Sequence, residues 1–297
     1  MDYQNLLPLF SNNELAINFL KQKNLLKNSC LCTACQTPQN WTKYQKTKDG
    51  FSWRCQNRTC SRFKLTTSIR KDSFFENSNI DLPKWIQIIY LWGMRGSNKN
   101  AATQVGVSQR AIVDAFASLR EICQRHLLAN PIQLGGPGIV LEIDESCFSH
   151  KPKHHRGRIP QQPIWVFGIV DTSYKPAIGY MEIVEQRNAA TLLPIIQSVA
   201  RPGSIIHSDE WRAYRGIQGM GFAHKTVNHS VNFVEPDGTH TQTVESYWNR
   251  KKTLIKSMLG CRRIFLHYYL QEFMWRDRFG SRAFENIILH MNNFYSL

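Results

Sequence analysis

The spacing of apolar residues changes character several times along the 297-residue chain. Ser11-x-x-Glu14 has the form of a capping box and opens an apolar run, "LAINFLKQKNLL", at helical spacing. Helical texture returns from Ser78, where "NIDLPKWIQIIYLWGM" carries Pro83 near a helix start. After Gly96, residues Ala101 and Ala102, the turn at Gly106, Val107, Ser108 as N-cap, and then Ile112 and Val113 predict a helix-turn-helix. "ANPIQLGGPG", residues 129–138, has linker composition. Beyond it the period shortens to that of strands: "GIVLEIDESCF", "PIWVFGIVDT" and "AIGYMEIVE". A helix "AATLLPIIQSVA", a strand "SIIHSD", a helix "EWRAYRGIQGM", a strand "FAHKTVN" and a long helix from about Gln242 follow.

That order predicts an α/β fold with a mixed sheet, of the RNase H-like kind. The chain then divides into an N-terminal helix with a small zinc ribbon (1–72), a helix-turn-helix DNA-binding domain (73–132), and an RNase H-like catalytic domain with C-terminal helices (133–297). The ribbon follows from cysteine spacing. Five of the eight cysteines fall between residues 30 and 60, an arrangement unlike a disulfide framework and suited to metal in a reducing compartment. Cys32-x2-Cys35 and Cys55-x4-Cys60 offer four soft thiolates, the donor set of a closed structural Zn²⁺ site. Cys30 could substitute for one of them.

Charge narrows the partners. Lys and Arg number 37 against 22 Asp and Glu, a formal +15, which favours a polyanion and nucleic acid first. No apolar run is long enough to span a membrane, and "MDYQNLLPLFSNNE" lacks the order of a secretory signal. Gln109 and Arg110 lead the second helix of the helix-turn-helix, the end that reaches base edges in such motifs. The turn "HKPKHHRGR" supplies Lys151, Lys153, Arg156 and Arg158, suited to phosphate contacts that position DNA without reading its sequence.

The acids supply the candidate chemistry. Asp144 lies near the end of the first strand and Asp209 ends the fourth, so adjacent strand ends would bring them close. Carboxylates so placed repel unless a divalent metal lies between them. Two ions, Mg²⁺ or alternatively Mn²⁺, would clamp both the attacking and the leaving oxygen of a phosphodiester. Glu245, in the first turn of the helix "TVESYWNRKK", is the expected third acid. Lys252, seven positions on, shares its helical face and could meet a DNA phosphate. The plainer alternative for Asp209 is a cap on the helix "EWRAY".

Taken together, "EIDES", "KPKHHRGR" followed by "WVFGIVD", "IHSDEWRAY", "VNHSVNFVEP" and "HTQTVESYWNRKK" resemble the transposases of the Merlin superfamily, cut-and-paste elements with bacterial insertion-sequence relatives. The resemblance extends from about residue 12 to 280. It implies an RNase H-like core, a DDE triad carried by Asp144, Asp209 and Glu245 with Mg²⁺, and binding of double-stranded DNA at terminal inverted repeats. Cleavage at each end would free a 3′-OH that attacks target DNA. Joining two ends implies a homodimer or larger assembly, in the nucleus if the host is eukaryotic. A structure-specific nuclease on the same core and a transposon-derived DNA-binding regulator are the competing expectations.

Overall fold

In the computed structural model, residues 3–148, 163–227 and 239–295 are described. The elements run α1 (Tyr3–Ser11), α2 (Asn13–Gln22), β1 (Asn40–Lys43), β2 (Phe51–Arg54), β3 (Thr66–Ser68), α3 (Leu82–Gly93), α4 (Asn98–Val105) and α5 (Gln109–Ala129). They continue with β4 (Val140–Cys147), β5 (Trp165–Asp171), β6 (Ile178–Val184), α6 (Ala189–Val199), β7 (Ile205–Asp209), β8 (Ala223–Val227), α7 (Gln242–Ser257), α8 (Leu266–Phe279) and α9 (Ala283–Phe294). The chain forms two compact units, Met1–Cys123 with Ser281–Leu297, and Gln124–Gly280.

In the first unit the cap of α2 is Asn12, one residue past the expected Ser11; its side chain accepts from the Leu15 N–H at 3.0 Å. β1, β2 and β3 form an antiparallel sheet, with Trp41 opposite Trp53. Asp49, in the turn between β1 and β2, is buried and held by both Nε and Nη2 of buried Arg70, at 2.8 and 2.6 Å. Arg70 also donates to the Ser78 and Ile80 carbonyls, so one guanidinium ties the ribbon turn to the approach to α3. Such a fork suits Arg and not Lys. α4 ends on Gly106 at φ 67°, a left-handed position that favours glycine. The Ser108 hydroxyl then accepts from the Ala111 N–H at 3.1 Å, starting α5 where expected.

The second unit is built on a five-stranded mixed sheet in the order β6-β5-β4-β7-β8. β5 is antiparallel to β4 and β6, while β7 is parallel to β4 and β8. Valines and isoleucines fill β5, whose interior is buried throughout, as a strand covered on both faces requires. The three expected strands, the helix α6 and the later strands all form. "EWRAYRGIQGM" does not become one helix but two 3₁₀ turns, Arg212–Tyr214 and Gln218–Met220. Gly216 and Gly219 interrupt any longer helix there.

Two glycines set how closely α7 approaches the sheet. A Cβ on Gly168 would lie 2.4 Å from the Trp248 ring, and one on Gly179 2.8 Å from the Tyr247 ring. Both lie on one face of β5 and β6, because Gly168 is registered opposite Met181, two residues from Gly179. Each large ring of α7 therefore sits in space that the sheet leaves empty. The opposite face carries α6 and the first 3₁₀ turn, whose Tyr214 reaches Glu145.

Gly168→Ala should accordingly push Trp248 outward and cost roughly 1–3 kcal/mol, the usual range for overpacking. Gly219→Ala, where an added Cβ meets nothing within 4 Å, is the control. Calorimetric melting of both variants checks the expectation, with a lowered transition for Gly168→Ala alone.

Candidate active site and cysteine cluster

Parallel pairing brings the strand-borne acids together on two adjacent interior strands, where the β4–β7 ladder ends. β4 and β7 are in register at Val140–Ile205, Leu141–Ile206 and Glu142–His207. Continued two residues further, the register sets Asp144 beside Asp209, at the point where the ladder has ended. Both side chains lie on the face covered by α7. Trp248 Nε1 donates to Asp144 Oδ2 at 3.1 Å. Burial pushes the Asp144 carboxyl up to about 6, helped by the negative charges of Asp209 and Glu245 and opposed by hydrogen bonds from the Glu145 backbone and Trp248. Asp144, Asp209 and Glu245 are thus electrostatic neighbours. Their oxygens are not drawn within 4.8 Å as one group; among the described residues only the four ribbon cysteines are.

Asp209 has a local job as well. Its Oδ1 accepts from the Trp211 N–H at 3.0 Å, closing the turn that leaves β7. This is an Asx-type turn and not the cap of a full helix, and it leaves Oδ2 for other work.

Glu142, on the same strand face as Asp144, has a structural part of its own. It is fully buried, and Oε2 accepts from the Val244 N–H at 2.9 Å. His240 Nδ1 lies 3.2 Å from Oε1. Burial pushes the Glu142 carboxyl up, while the Thr243 hydroxyl and N–H, the Val244 N–H and His240 pull it down. Thr241, the residue at the N-cap position of α7, makes no side-chain cap. A carboxylate from β4 therefore does that work across the fold, satisfying N–H groups that no helical partner could reach. The one signal in the sequence was an acid on the same strand face as Asp144. His207 lies in this layer too, with Nδ1 3.3 Å from the His240 carbonyl.

Adjacent lysines of α7 divide their roles. Lys251 is buried and ion-paired with Asp277, which also accepts from Tyr247 Oη at 2.7 Å. Lys252 turns the other way, 5.5 Å from the Phe148 ring. Burial lowers its pKa, and the charges of Cys147 and Asp144 raise it. Lys252 and Asp144 are therefore electrostatic neighbours. On the other face, Glu145 Oε1 accepts from Tyr214 Oη at 2.7 Å, and burial pushes its carboxyl up to about 7. Lys151, Lys153, Arg156 and Arg158 lie outside the described residues, as does most of "VNHSVNFVEP".

In the first unit, Cys32, Cys35, Cys55 and Cys60 bring their sulfurs within 4.8 Å of one another. Cys32 and Cys60, and likewise Cys35 and Cys55, are 3.8 Å apart, far beyond disulfide length. Cys30 is not in this group. Backbone N–H groups serve the sulfurs: that of Arg62 donates to Cys60 Sγ at 3.3 Å, and those of Ala34 and Cys35 favour the Cys32 thiolate. The Thr37 hydroxyl, 3.0 Å from Cys35 Sγ, helps hold that thiol down to about 6, whereas burial pushes Cys55 up to about 12. Four soft donors converging with N–H support fit zinc. The hard oxygens of the acid group fit Mg²⁺ or Mn²⁺, whose charge would relieve the repulsion on Asp144. Gln109 and Arg110 are exposed at the start of α5, where Arg110 pairs with Asp114 at 2.9 Å.

With this geometry in place, comparison with known proteins decides the family. Residues 134–277 match the ISXO2-like transposase domain, a span that includes all three acids. An uncharacterized transposase-like protein of Haemophilus influenzae is 32% identical over 97 residues, which are 33% of this chain and 78% of that protein. The chain belongs to the transposase-like proteins. A second relative of this transposase-like protein, male abnormal protein mab-31 of Caenorhabditis elegans, is 24% identical, over 97% of this chain and 69% of that one. Among solved structures, the HTLV-2 integrase catalytic core domain in complex with magnesium is similar at 16% identity and a TM-score of 0.32, covering 47% of this chain and 84% of that chain. The pre-cleavage Mos1 transpososome is similar at 12% identity and a TM-score of 0.27, covering 71% and 77%.

Two outcomes are expected from the metal-binding chemistry. Purified protein should carry one zinc per chain by elemental analysis, and Cys55→Ser or Cys60→Ser should lose it with local unfolding of residues 30–65, since metal binding is folding energy in such modules. In metal-free protein, an acid whose folded pKa is raised favours the fold at low pH and loses that contribution as pH rises through about 6. Asp144→Asn should therefore melt a few degrees above wild type at pH 7.5 without metal. Added Mn²⁺ should raise the melting temperature of wild type and leave the variant unchanged.

Proposed function

We propose that this protein is a DNA transposase of the DDE type, with Asp144, Asp209 and Glu245 as its catalytic acids. The observation that carries the proposal is that Asp144 within β4, Asp209 at the end of β7 and the helix-borne Glu245 are electrostatic neighbours, within a chain that belongs to the transposase-like proteins. The Merlin resemblance of the motifs makes the reading finer: binding of terminal inverted repeats, cleavage at each end, and attack of the freed 3′-OH on target DNA. It also extends the proposal to an intracellular setting, the nucleus in a eukaryotic host.

The chain's own residues divide the labour. Asp144, Asp209 and Glu245 would hold divalent ions, which when bound lower the pKa of the attacking water or 3′-OH and offset charge on the leaving oxygen. Trp248 aims the Asp144 carboxylate through its indole N–H. Glu142 fixes the start of α7 and with it Glu245, three residues into that helix. Lys252, on the same face beside Asp144, is suited to the DNA phosphate nearest the acids. In the first unit, Gln109 and Arg110 at the head of α5 are proposed to read the transposon ends, with the ribbon alongside them in the recognition half of the chain. Joining two ends calls for at least two copies of the chain. Among the described residues no helix is long and apolar enough to cross a membrane.

The test separates chemistry from recognition. Asp144→Asn, Asp209→Asn and Glu245→Gln should each abolish Mg²⁺-dependent cleavage and strand transfer together, because one site serves both. Gel shifts with end DNA should survive. Cleavage without joining would instead identify a nuclease, and binding without cleavage by wild type a regulator. Wild-type cutting by Asp209→Asn would reduce that residue to its turn. Lys252→Ala should weaken DNA binding and lower the salt slope by about 0.9 or less, the amount for one B-DNA phosphate contact.

A further inference from the structure

On the sheet face opposite α7, close to the ends of β4 and β7, two tryptophans and an arginine come together with no part in the chemistry above. Trp165 is the first residue of β5 and is registered opposite Cys147, the last of β4. Trp211 leaves β7 two residues after Asp209, and its backbone N–H is held by that carboxylate at 3.0 Å. Arg187 approaches from the loop after β6. Its guanidinium carbon lies 3.6 Å from the Trp165 ring centroid and 5.2 Å from that of Trp211. Arg187 is exposed and both indoles are half-buried.

We propose that Trp165, Arg187 and Trp211 form a stacking site for an unpaired nucleobase of the DNA strand held at the acids. The inference rests on the transposase reading and adds a nucleotide-binding surface to it. Three observations carry it. The first is place: one indole is registered against the end of the strand that bears Asp144, and the other is hydrogen-bonded through its backbone to Asp209. The second is rigidity. Trp211 packs edge-on against Tyr214 at 5.8 Å and 90°, and buried Tyr214 is itself tied to Glu145. A preset aromatic surface loses little freedom when a base lands on it. The third is chemistry. A guanidinium lying over an indole still has five N–H donors, which can meet a phosphate or a base edge, while the indoles offer π-faces. Glu145 is the acid that faces Arg187, lowering the cost of holding the cation there before DNA arrives.

Bases inside a duplex are already stacked and have no face to offer. The ligand is therefore an unpaired base, such as one beside a strand break. Each stacked base contributes roughly 1–3 kcal/mol in such sites, largely without regard to sequence.

The experiment uses the full chain and DNA of arbitrary sequence, so that end recognition is not involved. Binding is measured for a blunt duplex and for the same duplex with a short 3′ overhang carrying 2-aminopurine, whose fluorescence reports stacking. Wild type should bind the overhang about fivefold or more tighter than the blunt duplex and quench the probe. Arg187→Ala, Trp211→Ala and Trp165→Ala should each lose most of that preference and the quench, with blunt-duplex affinity held within about twofold. Trp211→Phe, which keeps a ring and the fold, should retain part of both. Equal wild-type affinity for the two DNAs, or an undiminished preference in Arg187→Ala and Trp211→Ala, would overturn the proposal. Overhang preference without Mg²⁺-dependent cleavage would leave this site standing and remove the transposase reading. Cleavage without overhang preference would remove this site alone.

Discussion

The Glu142 carboxylate sets the geometry on which the acid site depends. A fully buried anion on β4 is costly unless donors surround it, and here they come from the start of α7. The helix in turn has no side-chain cap of its own, so its first N–H groups need that carboxylate. Each partner makes the other tolerable. The result is a helix fixed at its origin to the strand that carries Asp144, with Glu245 one residue past the clamped N–H. Trp248 adds a second tie one turn later, and Gly168 leaves the space its ring needs. Three contacts along one helix thus convert sequence separations of about a hundred residues into a fixed spatial relation.

Electrostatics in this site runs against stability. Burial and two neighbouring carboxylates push Asp144 up to about 6, so near neutral pH the metal-free fold carries a charge it would be better without. Nothing in packing requires an acid there; an amide would keep the hydrogen bond from Trp248. Cation binding at the proposed site would offset that cost. The cysteine cluster repeats this logic with soft donors. Four sulfurs within 4.8 Å, with Cys35 pulled down to about 6 and Cys55 pushed up to about 12, form a set that a single zinc ion would reconcile.

Much of the second unit was legible because period and punctuation agreed. "GIVLEIDESCF", "PIWVFGIVDT" and "SIIHSD" read as strands and form β4, β5 and β7; Asp209 ends β7, whereas Asp144 lies within β4, just past its ladder with β7. Helical spacing also places Lys252 two turns beyond Glu245 on α7. What escaped was everything that depends on contacts between distant segments. Glu142 reads as one more acid in "EIDES", and only its burial under Val244 reveals a cap. Asp49 reads as a solvent turn residue, yet it holds Arg70 across 21 positions. "EWRAY" has helical composition, but the Asp209 side chain holds the turn and Gly216 stops the run, leaving a single 3₁₀ turn. Local pattern specifies elements; partner choice for buried charges is written in the tertiary fold.

The two faces of β4 also explain why neighbouring acids differ. Asp144 and Glu145 are consecutive, so the pleat sends one toward α7 and the other toward Tyr214 and Arg187. Asp144 is held by the Glu145 backbone N–H and one indole donor and lies beside two other carboxylates, an arrangement suited to the proposed cation. Glu145 accepts from a buried phenol and faces a guanidinium, an arrangement already balanced. Two acids one position apart therefore have different surroundings: Asp144 lies among other carboxylates, while Glu145 anchors the tyrosine and faces the arginine on the opposite face. That division follows from a strand's two-residue period meeting a helix on one side and an arginine with aromatic rings on the other.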